Sequence, residues 1–508
     1  MSNNSTYADN DLSEVKQLGM WASIASLGYV FWLVGGMELI ERLAYYGVKS
    51  SAGLYARAPA AEGGLGITGY QYANILGIWA MIQAFVPMFF GGISDRVGYK
   101  ESIAASTVIK IIGYLVMALY PSYYGFMIGA ILLALGTGIF KPGIQGTLVK
   151  ATKRENSTMA WGIFYQVVNV GGFLGPLMAV HMRQLAWENL FYACAVVISF
   201  NFVLLFAYKE PAKEERLELQ RKVKAGEVKQ HFLMKAAWIE LKKPIVYLYM
   251  VVFSGFWFMF NALFDVLPWH IADWVDTSVI VRDLFGEDGT RNGFFQFMLG
   301  LNDAGTKVMP EGVVNLNAGL IMLTCFLFAA MSAKARITSA MLLGCVLSII
   351  AITFIGAFNF AWMTLLAVAL FSIGEMLISP KKNEFMGNIA PKDKKAMYLG
   401  FVMLPQGVGN TLEGFYGMRI YEMFASKENF SRELLAERGM SADKIDAIPT
   451  GEGFKALMEF TGESHEALTL LLSQTHNIGM AWYIIGAIGS ISAVGIYFYG
   501  RWLMTIRK

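Results

Sequence analysis

The 508 residues are 56% hydrophobic and 16% charged, and 41 Lys and Arg against 38 Asp and Glu leave a net charge of +3. Soluble domains carry about 25% charged residues, so the composition, with a mean hydropathy of +0.47, excludes an ordinary soluble domain and reads as a polytopic membrane protein. So small a net charge implies no nucleic-acid partner. The three cysteines, Cys194, Cys325 and Cys345, each lie in an apolar run and form neither a disulfide framework nor a zinc spacing.

Residues 1–20 are polar, lack the apolar core of a signal peptide and are expected to be a short cytoplasmic tail. Twelve apolar stretches follow, each near the roughly 20 residues a span needs. They are 22–50, 69–93, 101–120, 123–149, 158–182, 188–208, 245–272, 315–333, 337–358, 361–380, 397–423 and 477–502. Between the sixth and seventh, the basic stretch 209–244 has the pattern of an amphipathic surface helix, or of a plain solvated linker. The expected fold is therefore all-α, with twelve transmembrane helices in two six-helix bundles, 21–208 and 245–508.

Lys and Arg gather in loops on one side: Arg96 and Lys100, then Lys150 and Lys153, the linker, Arg336, and Lys381 and Lys382. The opposite short loops at 121–124 and 358–360 carry none, which predicts both termini in the cytoplasm. Two long loops, 275–314 and 425–476, then face outward, and the second contains two helix-like segments, 431–438 and 465–474.

The first span carries an unusual charge load. Glu38, Glu41, Arg42, Tyr45 and Lys49 fall on one face at helical spacing. Ionised groups at membrane depth cost several kcal/mol unless they pair and face a watery cavity, so this face predicts a transport cavity rather than a snorkelling helix end. The fourth span holds Lys141 beside Pro142, which opens the helix locally. Lys141 needs an acid, and Glu38 and Glu41 are the nearest by chemistry. Lys110 in the third span reads as a structural pair. Asn169 in the fifth span offers donors and acceptors at midplane without a charge. Glu413 in the eleventh is a further buried acid.

The stretch Glu38-Leu-Ile-Glu41-Arg42-Leu-Ala-Tyr45-Tyr46-Gly47 resembles the ExxERxxYYG signature of the proton-coupled oligopeptide transporters, a branch of the major facilitator superfamily. Other stretches agree with it. Gly91 to Lys100, with Asp95 and Arg96, is similar to the superfamily's loop motif, and Gly136 to Gly143 resembles GxGxxKPN with Gly143 for the Asn. Phe164 to Gly171 resembles FYxxINxG, Gly374 to Pro380 resembles GExxxSP, and Gly409 to Gly414 resembles GNxLxG. Departures gather in the seventh span, where Asn261 and Ala262 replace the Glu and Gln of FWxxxEQ. Lys49 stands where many members have Arg, and Asp265, one turn beyond Asn261, is its expected new partner. Val402 replaces a pocket Trp, and Gly77 stands where animal members have His.

The resemblance implies uptake of di- and tripeptides by proton symport and alternating access across a plasma membrane, that of the bacterial inner membrane. It implies no cofactor or metal beyond the coupling proton, and no enzyme activity. Arg42 and Lys141 would attract the substrate carboxylate, and Glu375 the ammonium, with Asn169 and Asn317 assisting and Tyr45 and Tyr46 shaping the pocket. Glu38 or Glu41 would take the proton and release Lys141, while Lys49, Asp265 and Glu413 would form a gate or ion pair. The altered seventh span also suits another zwitterion or an anion as cargo. A membrane enzyme or sensor finds no metal cluster, nucleophile–base pair or phosphate loop in the sequence.

Overall fold

A computed structural model describes residues 19–506 apart from 154, 212, 226–237, 334–335, 390–397 and 399. Among the described residues, twelve helices have 21 residues or more. They are α1 (Tyr29–Arg57), α2 (Gly69–Val97), α3 (Tyr99–Leu119), α4 (Tyr123–Ala151), α5 (Ser157–Leu185) and α6 (Trp187–Ala207), then α7 (Pro244–Asp265), α8 (Pro310–Ala333), α9 (Ile337–Ala357), α10 (Ala361–Ile389), α11 (Leu404–Phe424) and α12 (Met480–Ile506). The fold is all-helical, as expected. Eight of the helices are long and apolar enough to cross a membrane on those grounds alone. Helices α1 and α11 are not among them: Glu38, Glu41, Arg42 and Lys49 interrupt one, and Gln406, Asn410, Glu413, Arg419 and Glu422 make the other too polar.

Local chemistry sets the ends. Thr68 and Gln71 form a reciprocal capping box at the start of α2, and the Ser122 hydroxyl accepts from Gly125 N to start α4. The seventh span, expected as one run over 245–272, is broken at Val266. Pro268 lacks an N–H, and a second helix, Leu267–Trp274, begins beside it. The first span starts at Tyr29 rather than 22, behind an extended Gly28 that separates it from a short helix Met20–Ala25.

In lipid, helices associate through close packing and polar contacts rather than through water exclusion. Within each half, α1 packs on α5 and α6, α3 on α4 and α6, α9 on α10 and α12, and α7 on α11 and α12. Between the halves, α2 packs on α11 and α5 on α8. The α1–α5 approach depends on Gly171, where a Cβ would fall 2.7 Å from Arg42 Cβ and 2.9 Å from Leu39 O. The glycine that closes the FYxxINxG-like stretch thereby lets α5 lie against the charged face of α1.

The basic linker forms a helix over Lys213–Lys224, docked on the α2–α3 turn. Arg216 donates to Val97 O at 2.9 Å and pairs with Glu210 at 3.1 Å, and Glu210 accepts from Tyr99 N. At the opposite end of the bundle, the loop between α11 and α12 folds into a layer of four helices, Lys427–Glu437, Ala442–Asp446, Gly453–Thr461 and His465–Thr475. Leu435, Leu457, Leu468 and Leu472 form its core, and Arg432 ties it together through Glu428 and the carbonyls of Ile445 and Ile448. Lys427 is buried between the Trp274 and Phe454 rings, where burial pushes its ammonium down to about 8. The layer's tip reaches the α1–α2 loop. Gly451 there has φ +91°, and a Cβ on it would meet Arg57 O at 2.6 Å. The two ends are called below the linker end and the loop end.

Candidate functional site

Three groups of polar side chains lie where the halves meet. The first is built on α1. Glu38, Glu41 and Arg42 are 6%, 0% and 4% exposed. Helical spacing puts Glu38 one turn before Arg42, so Arg42 Nε reaches Glu38 Oε1 at 3.1 Å while its Nη2 pairs with Glu41. The second oxygen of Glu41 accepts from Lys110 Nζ of α3 at 3.1 Å and Thr137 Oγ1 of α4 at 3.2 Å. Lys110 also stands over the Phe140 ring at 4.0 Å. Arg42 lies 5.3 Å from the Tyr45 ring and 5.8 Å from that of Tyr46.

The expected pairing of Lys141 with an acid is not found. Lys141 interacts electrostatically with Glu38 and Glu41, but no ion pair to it exists among the described residues. Lys110 has taken Glu41 from the neighbouring helix, and Arg42 bridges the two glutamates. With all groups ionised, Arg42, Lys110 and Lys141 outnumber Glu38 and Glu41 by one. The first cluster lacks one negative charge.

The second cluster joins α1 of one half to α7 and α11 of the other. Lys49 Nζ pairs with Asp265 Oδ1 at 2.7 Å and Oδ2 at 3.0 Å, as the sequence predicted. The Asn261 amide then bridges two acids, donating to Asp265 Oδ2 at 2.9 Å and Glu413 Oε2 at 2.8 Å. Glu413 is fully buried, and its other oxygen is within hydrogen-bond reach of no described donor. Tyr45 and Trp79 share Gln83 Oε1 close by, and Lys49 lies 5.2 Å from the Trp79 ring. Two carboxyls face one ammonium, so this cluster holds one negative charge too many.

The third group lines α8 and α10. Asn317 Nδ2 donates to Glu375 Oε2 and Ser372 Oγ, both at 3.0 Å. Glu375 is near enough to Tyr46 and Tyr165 of the other half to interact with them electrostatically. Asn169 donates to Tyr165 O of its own helix at 2.9 Å and so does not reach Glu375 in this state. Of the loop motif, the side chains of Asp95 and Arg96 lie outside the described residues. Among the described residues no group of His, Cys, Asp and Glu is arranged to hold a metal.

At the loop end the halves are tied by further pairs that the sequence reading missed. Arg57 pairs with Asp273, which accepts from Tyr421 at 2.7 Å. Arg183 clamps Glu311 with Nε at 2.5 Å and Nη2 at 2.9 Å, Ser51 donates to the same acid, and Glu422 accepts from Gly69 N. A cavity of about 300 Å³, lined by Arg57, Trp269, Asp273, Glu422 and Arg432, lies above these ties. Such acids near span ends are the one sequence signal for them. Among the described residues, every ion pair that bridges the halves is toward the loop end.

The sequence pattern of the Major Facilitator Superfamily matches residues 39–412, from the charged face of α1 to the middle of α11. The chain belongs to the major facilitator superfamily. The proteins it is similar to include transporters, one of them a peptide transporter. It is 26% identical over 204 residues to the "Uncharacterized transporter YclF" of Bacillus subtilis, covering 39% of this chain and 41% of that one. It is 30% identical over 151 residues to the "Peptide transporter YePEPT" of Yersinia enterocolitica, covering 28% and 29%. The chain thus spans less than half the length of either relative. A solved "peptide transporter POT in complex with sulfate" shares the fold, with a TM-score of 0.61 at 17% identity over 94% of this chain and 99% of that one.

Within that superfamily frame, the second cluster accounts for the altered seventh span. Asn261 removes one acid from α7, and Asp265 and Glu413 supply two others around it. A double-mutant cycle tests the bridge. Lys49→Ala leaves two acids without a cation, at an expected cost of about 3–5 kcal/mol, whereas Asp265→Ala leaves Lys49 with Glu413 and should cost less. The double variant should recover part of that loss, so the two effects are non-additive. Additive shifts in the thermal midpoint of the detergent-purified protein would show that the pair carries no stability of its own.

Proposed function

We propose that the protein is a proton-coupled symporter of di- and tripeptides, working by alternating access. It would be a multi-pass protein of the bacterial inner membrane, with the linker end and both termini in the cytoplasm. One observation carries this reading: the two buried clusters have complementary charge deficits. The α1 cluster lacks an anion, which a peptide carboxylate supplies at Lys141. The Lys49–Asp265–Glu413 cluster lacks a positive charge, which a proton supplies. Burying either imbalance costs several kcal/mol, so each cluster favours taking up its missing charge.

The steps follow from the residues. Glu375, steadied by Asn317, receives the peptide ammonium, while Lys141 holds the carboxylate beside Arg42. Tyr45 and Tyr46 wall the pocket, and Asn169 turns from its own helix to the peptide backbone. A proton on Asp265 or Glu413 cancels the surplus charge and weakens the hold on Lys49, so the loop end opens. Release of the proton restores the pair and closes that end. Coupling is reciprocal, because each ligand stabilises the arrangement of halves that it binds better. The part expected of Glu38 and Glu41 as proton carriers passes to Glu413 and Asp265, since Arg42 and Lys110 already balance those glutamates.

The test is uptake of labelled alanyl-alanine into proteoliposomes with and without an inward proton gradient. Accumulation that needs the gradient supports the reading, and uptake indifferent to the gradient removes proton coupling. A Glu375→Gln variant should weaken zwitterionic peptides by roughly tenfold or more while hardly touching N-acetylated ones, given about 1.5–3 kcal/mol for a charged hydrogen bond. Equal losses for both would reassign Glu375 to structure.

A further inference from the structure

Lys382 lies on α10 two turns beyond Glu375. Side chains on a helix lean toward its N-terminus, so the long Lys382 stem runs back toward Glu375. Its ammonium stands over the Trp257 ring of α7, 4.4 Å from the centroid. The residue is half-buried, and no carboxylate lies within ion-pair distance of it among the described residues. Its neighbour Lys381 is different, closing onto Glu384 at 2.8 Å.

An indole face returns about 0.5–2 kcal/mol to an ammonium but supplies no opposite charge. Lys382 therefore still favours an anion. Glu375, the acid it feels most, is held by Asn317 and, on the reading above, is engaged by the peptide ammonium. Lys141 on one half and Lys382 on the other thus have no carboxylate within ion-pair distance among the described residues, and Glu375 is the acid that Lys382 interacts with. A neutral zwitterionic peptide satisfies Lys141 and Glu375 and leaves Lys382 open. An acidic peptide satisfies all three.

We propose that the carrier selects peptides with an acidic first residue, whose side-chain carboxylate is held by Lys382 against Trp257. The first residue is specified because its side chain is the one nearest the ammonium at Glu375. The inference rests on the peptide reading, so the experiment separates the two. Labelled alanyl-alanine uptake in proteoliposomes is competed with unlabelled glutamyl-alanine, alanyl-alanine and lysyl-alanine at pH 6, where the glutamyl side chain is ionised.

Glutamyl-alanine should compete roughly tenfold better than alanyl-alanine, the value of one charge-assisted contact, and lysyl-alanine worst. Lys382→Met should erase the difference between the first two, Lys382→Arg should keep it, and Lys382→Glu should reverse the order in favour of lysyl-alanine. Equal competition by all three in the unaltered protein overturns the proposal, as does an acidic preference that survives in Lys382→Met. If none of the peptides competes or is taken up, and none shifts the thermal midpoint, the peptide reading itself fails and this inference with it.

Discussion

Glu413→Gln should abolish gradient-driven accumulation of peptide while leaving counterflow between equal internal and external substrate. The glutamine keeps the shape of the side chain and its bond to the Asn261 amide, but it removes the surplus negative charge of the Lys49–Asp265–Glu413 cluster. Without that charge, no proton is needed to balance the site, and the halves rock with substrate alone. The difference should be close to total, because an uncoupled carrier equilibrates its substrate and does not concentrate it. Gradient-driven uptake and counterflow, measured in the same vesicles, give the answer. Accumulation at the unaltered level would place the proton site elsewhere, with Glu38 the next acid to test.

Arg42→Ala should eliminate uptake and also lower stability, by about 3–5 kcal/mol if Glu38 and Glu41 remain ionised. Arg42 spans the two glutamates with different nitrogens, Nε to Glu38 and Nη2 to Glu41. A lysine, with a single point charge, cannot hold both in the same way. Arg42→Lys should therefore regain part of the thermal midpoint and little of the transport. Two readouts are needed, the midpoint in detergent and uptake in vesicles. Full uptake by Arg42→Ala would end the role assigned to the α1 cluster.

Much of this could be read from the chain. The ladder of polar residues on α1 announced a paired, charged site, because five of them at membrane depth need partners. The Lys49–Asp265 contact was legible as well. Once Asn261 stands where a charge is usual, an acid one helical turn away is the natural replacement. What escaped was rotation about the helix axes. Lys110 and Lys141 lie on adjacent spans at similar depth, and spacing alone does not say which of them turns toward Glu41. Nor does a sequence show that an amide will bridge two acids, as Asn261 does for Asp265 and Glu413. The pairs at Asp273, Glu311 and Glu422 escaped for a different reason, since charges near span ends look the same whether they meet lipid head groups, water or the opposite half. Pro268 was visible, yet whether a proline kinks a span or divides it depends on its neighbours.

The four-helix layer at the loop end belongs by connection to α11 and α12, yet its tip lies against Arg57 of the other half. Gly451 is close enough to that backbone that even a methyl group would not fit between them. Motion at this end is therefore not the free swing of a door on one hinge. The tip works as a bolt, drawn before the leaves part and shot after they meet. A bolt holds only in the shut position, so a contact made there alone favours the shut arrangement, and the layer weighs on the balance of the two positions as well as on the rate of their exchange.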